Sequence, residues 1–144
     1  MKLDIICVGK LKEKFTREWI EEYLKRLTKY CRIDVSEIKE STEAREGEEL
    51  LKRVRDDDFV VVLDAHGKQF TSEQFANLLK EKTLERHVVF IVGGHTGLAM
   101  PVIKRANTIL SFGEMTFTHQ IARLLLLEQV YRAFTIIKGE PYHK

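Results

Sequence analysis

Two stretches, Phe59-Val-Val-Val-Leu63 and Val88-Val-Phe-Ile-Val92, are nearly continuous β-branched and apolar sequence. A strand with one wet face alternates apolar and polar residues, whereas a strand covered on both faces does not. Both runs therefore read as central strands of a sheet covered above and below. Between them a helix is expected at about Ser72–Lys82, with Ser72 as its N-cap. Strand, helix, strand in that order is the crossover unit of a parallel sheet.

The rest of the chain keeps the alternation. Leu3–Val8 is an apolar run stopped at Gly9, a strand followed by a turn. Phe15, Trp19, Ile20, Tyr23, Leu24 and Leu27 recur at helical spacing. Ile33–Ile38 alternates as a second strand, and Glu43–Arg55 reads as a charged helix with Leu50, Leu51 and Val54 inward. A short helix around Pro101–Ala106 precedes a strand at Thr108–Phe112. The final helix is expected from near Thr118 to Gly139, where glycine suits the residue after a helix end and Pro141 blocks continuation. With no linker, repeat or low-complexity stretch in the sequence, residues 1–144 are expected to form one α/β domain. Its architecture should be a mostly parallel sheet with helices on both faces.

Hydrophobic residues at 44% and charged residues at 32% mark a globular chain, not a disordered one. No apolar run approaches the roughly 20 residues that cross a bilayer; Ile121–Val130 is broken by Arg123, Glu128 and Gln129. Asp4 lies inside the first strand and no signal-peptide organisation follows, so a cytoplasmic protein is expected. Cys7 and Cys31 fall in separate elements and read as reduced core residues of such a protein. The net charge is +2, and residues 101–144 hold 6 Lys/Arg against 3 Asp/Glu. That excess is too small to establish a polyanion partner by charge alone.

Ligands of open α/β sheets bind beyond the carboxyl ends of the strands. Three segments lie there: Leu63–Lys68, Gly93–Leu98 and Phe112–Thr118. The glycines at 93, 94 and 97 let a ligand approach backbone N–H groups closely, and a tight turn without a ligand explains them equally well. The dinucleotide order Gly-x-Gly-x-x-Gly and the phosphate loop Gly-x-x-x-x-Gly-Lys-Ser/Thr are both missing from the sequence. The histidines at 66, 87, 95, 119 and 143 include no i, i+4 pair, and there is no Cys-x-x-Cys, so no metal centre is expected. His119 and Arg123 stand one turn apart at the ligand-facing start of the final helix, and function is the favoured reading of that pair. Glu128 and Arg132 read as a helix-stabilising ion pair. Ile121, Leu124–Leu127 and Val130 make the helix apolar nearly all round, which in so small a protein predicts a subunit interface.

Taken together, these residues resemble a known family. The matching segments are Val8-Gly9-Lys10-Leu11-Lys12, Glu22-Tyr23-Leu24-Lys25-Arg26, Leu63-Asp64 before Gly67-Lys68, Ile91-Val92-Gly93-Gly94 with Gly97-Leu98, and Met115-Thr116-Phe117. The most specific set closes the chain: His119-Gln120, Arg123, Glu128-Gln129-Val130-Tyr131-Arg132-Ala133 and Pro141-Tyr142-His143. Over essentially its whole length the sequence resembles the RlmH family, the ribosomal RNA large subunit methyltransferase H group of the SPOUT superfamily. It departs from that pattern at Thr118, where relatives usually carry proline, and at Gly113, where serine is usual. His95 occupies a variable position in the glycine loop.

The resemblance implies a deep trefoil knot at the C-terminus, a feature that general connection rules treat as nearly absent. It also implies a homodimer with the final helices packed together. It implies S-adenosylmethionine (SAM) as cofactor, held at Leu63, Gly93 and the loop of Phe112, Gly113, Glu114, Met115, Thr116 and Phe117. The implied reaction is methylation of N3 of a pseudouridine in helix 69 of 23S rRNA, on the assembled 70S ribosome, with no metal and no membrane. N3 carries a proton that has to leave. Under that reading Arg123 stabilises the anionic base or positions a phosphate, and His119 or His143 accepts the proton. Tyr142 stacks on or orients the base. Two alternatives stay open: a non-catalytic ribosome-binding module on the same scaffold, and another α/β nucleotide-cofactor enzyme that binds a flavin or dinucleotide and ignores SAM.

Overall fold

The structure, a computed structural model, describes residues 2–144. Along them strands and helices alternate: β1 Lys2–Val8, α1 Lys14–Leu27, β2 Arg32–Ile38, α2 Glu43–Lys52, β3 Phe59–Gln69, α3 Ser72–Glu85, β4 Val88–Val92, α4 Met100–Arg105, β5 Thr108–Ser111 and α5 His119–Lys138. The strands form one sheet in the order β2-β1-β4-β3-β5, and every neighbouring pair is parallel.

The pleat divides the apolar strands between two cores. Val88, Phe90 and Val92 point to one face with Leu3, Ile5, Phe59 and Val61, under α1, α3 and α5. Val89 and Ile91 point to the other with Ile6, Val8, Val60 and Val62, under Leu50 of α2 and Val102 of α4. β4 is buried at every position, as its unbroken apolar sequence requires. Each such side chain contributes roughly 1.5–3 kcal/mol on leaving water, so these two cores outweigh the exposed ion pairs.

α5 packs against both α1 and α3, with Leu126, Leu127, Val130, Ala133 and Phe134 buried. Much of the apolar circumference that suggested an interface is thus covered by the chain itself. Ile121, 44% exposed, and the half-buried Leu124 and Leu125 keep surface open to solvent.

Several boundaries differ from expectation, three of them for an identifiable local reason. α2 stops at Lys52 because Asp58 Oδ2 accepts a hydrogen bond from Arg55 N at 2.8 Å and turns the chain into β3. β3 continues to Gln69 instead of ending at Leu63, because Leu63 and Lys68 both pair with Leu110 and the residues between them bulge. Gly67 permits this, since a Cβ there would lie 2.6 Å from the Ile109 carbonyl oxygen. The cap of α3 is Thr71, not Ser72. Thr71 Oγ1 accepts from Gln74 N while the Gln74 side chain accepts from Thr71 N. Ser72 is left free to donate to Gln129 Oε1 on α5 at 2.8 Å.

Candidate functional site

A cleft of about 660 Å³ opens where β3, β4 and β5 end, within the roughly 300–1,000 Å³ usual for small-molecule sites. Its walls are the bulge after Leu63, the loop after β4 and the segment between β5 and α5, with the first turn of α5 closing one end. Short-range contacts hold each wall. Ser111, 4% exposed, accepts from Gly113 N at 3.0 Å, and its hydroxyl lies within reach of the Ala65 and Gly113 carbonyls, tying the β3 bulge to the last wall. Gly93 lies so close to Leu98 that a Cβ would approach its Cγ to 2.9 Å. Gly113 has φ +133°, a conformation side chains disfavour, so the chain's departure to glycine fits its backbone. Thr118, the other departure, caps α5 by accepting from Ile121 N at 3.3 Å. Gln120 Oε1 accepts from Lys12 N and Glu13 N at 3.2 and 3.4 Å, fastening the start of α5 to the segment after β1.

Of the residues expected to hold a cofactor, Leu63, Gly93, Phe112, Gly113, Met115, Thr116 and Phe117 line the cleft, and Glu114 is exposed outside its lining. His119 lines it too. Among the described residues its buried Nε2 meets no partner, and burial, aided by Arg123, His95 and Lys12 against the pull of Glu40, holds its pKa below the ordinary value. The imidazole is therefore neutral at neutral pH.

Arg123 is elsewhere. It is 2% exposed, donating from Nη1 to Glu37 Oε2 at 2.6 Å and from Nη2 to Gly9 O at 3.1 Å. Instead of facing the cleft, its guanidinium binds α5 to the ends of β1 and β2.

The tail lies apart from both. Tyr142 donates to Glu128 Oε1 at 3.1 Å, packs edge-on against Tyr131 at 4.8 Å between ring centres, and has the Arg132 guanidinium 4.7 Å above its ring. His143 Nε2 meets Glu73 Oε1 at 2.7 Å, and its Nδ1 meets Arg132 Nη1 at 3.2 Å. Burial, the Tyr23 hydroxyl and Glu128 all raise the Tyr142 pKa, so the phenol stays protonated. Within one chain, His119 and the tail do not meet: Glu128 follows His119 by nine positions on α5, roughly 13 Å along the axis.

Sequence reasoning read Glu128 and Arg132 as an ion pair, which they are, at 2.5 Å. It missed that the same pair seats the tail. The available signal was that these are the ionised side chains between Leu124 and Ile137, a run otherwise mostly apolar. Asp64, His95 and Gln120 also line the cleft without having been singled out as site residues. Asp64 Oδ1 accepts from His66 N at 2.8 Å and so shapes the bulge.

The chemistry this allows is narrow. Burial pushes Cys7 and Cys31 up to about 11, which rules out either thiol as a ready nucleophile. Among the described residues no group of three or more His, Cys, Asp or Glu gathers to hold a metal ion, and no helix is long and apolar enough to cross a membrane. What remains is an apolar cleft with accessible backbone and, among its three lining histidines, the neutral imidazole of His119. Such a site suits transfer by alignment of two ligands, with a proton acceptor beside them.

The family model described as "Predicted SPOUT methyltransferase" matches residues 1–143. The chain is also similar to proteins named Ribosomal RNA large subunit methyltransferase H from Carboxydothermus hydrogenoformans, Clostridium botulinum and Bifidobacterium adolescentis. Each is 45% identical, with 100% of both chains covered.

Proposed function

This chain belongs to the SPOUT methyltransferase family, and from that premise we propose that it methylates rRNA of the large ribosomal subunit with SAM as donor. The finer reading is methylation of N3 of a pseudouridine in helix 69 of 23S rRNA, on assembled 70S ribosomes in the cytoplasm, by a homodimer. The observation that carries the reading is the cleft, walled by Gly93 and the Phe112–Phe117 loop and closed by neutral His119.

The residues present fit SAM. Leu63, Leu98, Leu110 and Phe112 offer apolar surface, and Gly93, Gly94, Gly97 and Gly113 in the lining carry no side chain of their own, so a ligand can approach the backbone closely. These residues would hold the cofactor, which when bound supplies a methyl group already activated for transfer. The protein's part is to orient the acceptor base and to remove the N3 proton. His119, neutral and in the cleft wall, is the proton acceptor favoured over His143, whose two ring nitrogens are both engaged. Tyr142 orients or stacks on the base without giving up its proton. Arg123 acts through the helix it anchors.

Cleft and tail share a site only if a second copy brings its tail across. Phe15, Trp19 and Ile121, at 68%, 56% and 44% exposure, leave apolar surface beside the start of α5 for that copy to cover. The path of the chain also supports the knot. β5 lies at one edge of the sheet, yet the next helix begins bonded to the segment after β1, so residues 112–118 cross the ends of β3 and β4.

Labelled SAM offered with 70S ribosomes, free 50S subunits or naked rRNA tests this. Label on the large-subunit rRNA of 70S ribosomes is expected. Label on naked rRNA alone would refute the assembled-surface reading, and no label on any acceptor would favour a binding module without catalysis.

A further inference from the structure

The tail of this protein is held from a side that the transfer reaction does not itself demand. Ser72, in the first turn of α3, donates to Gln129 on α5 at 2.8 Å, and the Thr71–Gln74 capping box fixes that turn. This registers Glu73 against Arg132, one turn along α5 from Gln129, with His143 between them. Arg132 is committed to Glu128 through Nε at 3.0 Å and Nη2 at 2.5 Å, and turns Nη1 to His143 Nδ1 at 3.2 Å. An arginine only donates hydrogen bonds. His143 Nδ1 must therefore accept, the ring proton sits on Nε2, and Nε2 donates to Glu73 Oε1 at 2.7 Å.

We propose that Glu73 is a positioning residue, holding the His143 imidazole in one orientation from α3 while Arg132 sets its tautomer. This rests on the reading that the tail belongs to the methyl-transfer site. The Glu73 side chain is 61% exposed, and exposed pairs add little to stability, so its removal leaves the fold standing while freeing the ring. The His143 contact, together with the backbone at the start of α3, holds the Glu73 carboxyl below its usual range, which keeps the acceptor ionised.

The test compares full-length Glu73→Ala, Glu73→Gln and His143→Ala on ribosomes that lack the modification, with nitrogen NMR of the His143 ring. Glu73→Ala is expected to lower kcat about tenfold, as misplacement of a site group does, with KM for SAM unchanged. Glu73→Gln, whose amide oxygen still accepts, is expected to recover most of that loss. The Nε2–H proton of the ring, which the carboxylate holds, should shift and exchange faster with water in the alanine variant. A Glu73→Ala kcat within about threefold of wild type, or an Nε2–H signal unchanged in position and exchange, overturns the proposal. His143→Ala separates the two levels. Transfer that survives it removes the tail from the site and Glu73 with it, whereas transfer lost in His143→Ala but kept in Glu73→Ala overturns the role of Glu73 alone.

Discussion

Arg123 is nearly cut off from water, and its match, Glu37, comes from β2, 86 positions earlier in the chain. Replacing it by methionine removes a charge-assisted hydrogen bond and leaves the Gly9 carbonyl without its partner. Glu37, 35% exposed at its side chain, can rehydrate, so the cost falls below that of stranding a fully buried charge. About 2–3 kcal/mol is expected, read as a Tm lowered by roughly 5–10 °C. A variant that unfolds as late as wild type would return Arg123 to a purely chemical role. His119 carries the opposite kind of prediction. Its pKa lies below the ordinary value of 6.5, so the neutral, proton-accepting form persists as pH falls through 6.5. The acid limb of kcat should lie below that point, and His119→Gln should lower kcat by roughly 10²–10⁴ and abolish the limb. Linkage has the matching sign. Between the folded and unfolded values the unfolded chain binds the extra proton, so stability from this residue is complete above about 6.5 and declines as pH drops through the window. A limb at or above 6.5 would contradict this. Spacing alone pairs His119 with Arg123 at one helix end, and they do share that end. What spacing cannot supply is a partner 86 positions away, and that partner separates the cleft residue from the anchor.

At the scale of elements, legibility followed the range of the forces involved. β4 was readable residue for residue because burial on both faces is written in its own five side chains. The end of β3 was not, because its extension depends on Gly67 fitting against Ile109 of a later strand. The cap of α3 was misplaced by one residue because Thr71 and Ser72 both carry a hydroxyl. Gln74, three residues after Thr71, decides between them, and Ser72 goes to α5 instead. α5 offers a direct check of such local effects. Thr118 has φ −61° and caps the helix through its hydroxyl. Thr118→Ala should therefore cost about 1 kcal/mol in urea unfolding. Thr118→Pro keeps that φ and stiffens the unfolded chain, so it should stay within about 1 kcal/mol of wild type despite losing the cap. A proline variant clearly less stable than the alanine one would show that the backbone before α5 is not free to accept proline.

For the whole molecule, the separation of cleft and tail on one chain makes the arrangement of copies a measurable question. Glu substitutions at Trp19 and Ile121, both exposed and so tolerable to the fold, should convert a dimer to monomers in sedimentation and reduce transfer together with it. That correlation alone would not show that a tail serves its partner. Mixing two inactive proteins would. Gly93→Val fills the space beside Leu98, where a Cβ already comes to 2.9 Å, and so should close the cofactor cleft while leaving its tail intact. His143→Ala keeps the cleft and loses the tail. Refolded together, half of the dimers formed at random would be mixed, and each would contain one cleft facing one intact tail, so about a quarter of wild-type activity should return. If each tail served its own chain, no mixed dimer would hold a complete site and the mixture would stay inactive. SAM binding at half the wild-type stoichiometry, measured on the same mixture, confirms that the His143→Ala chains kept their clefts, so silence in the transfer assay would count against the shared site and not against the proteins used to test it.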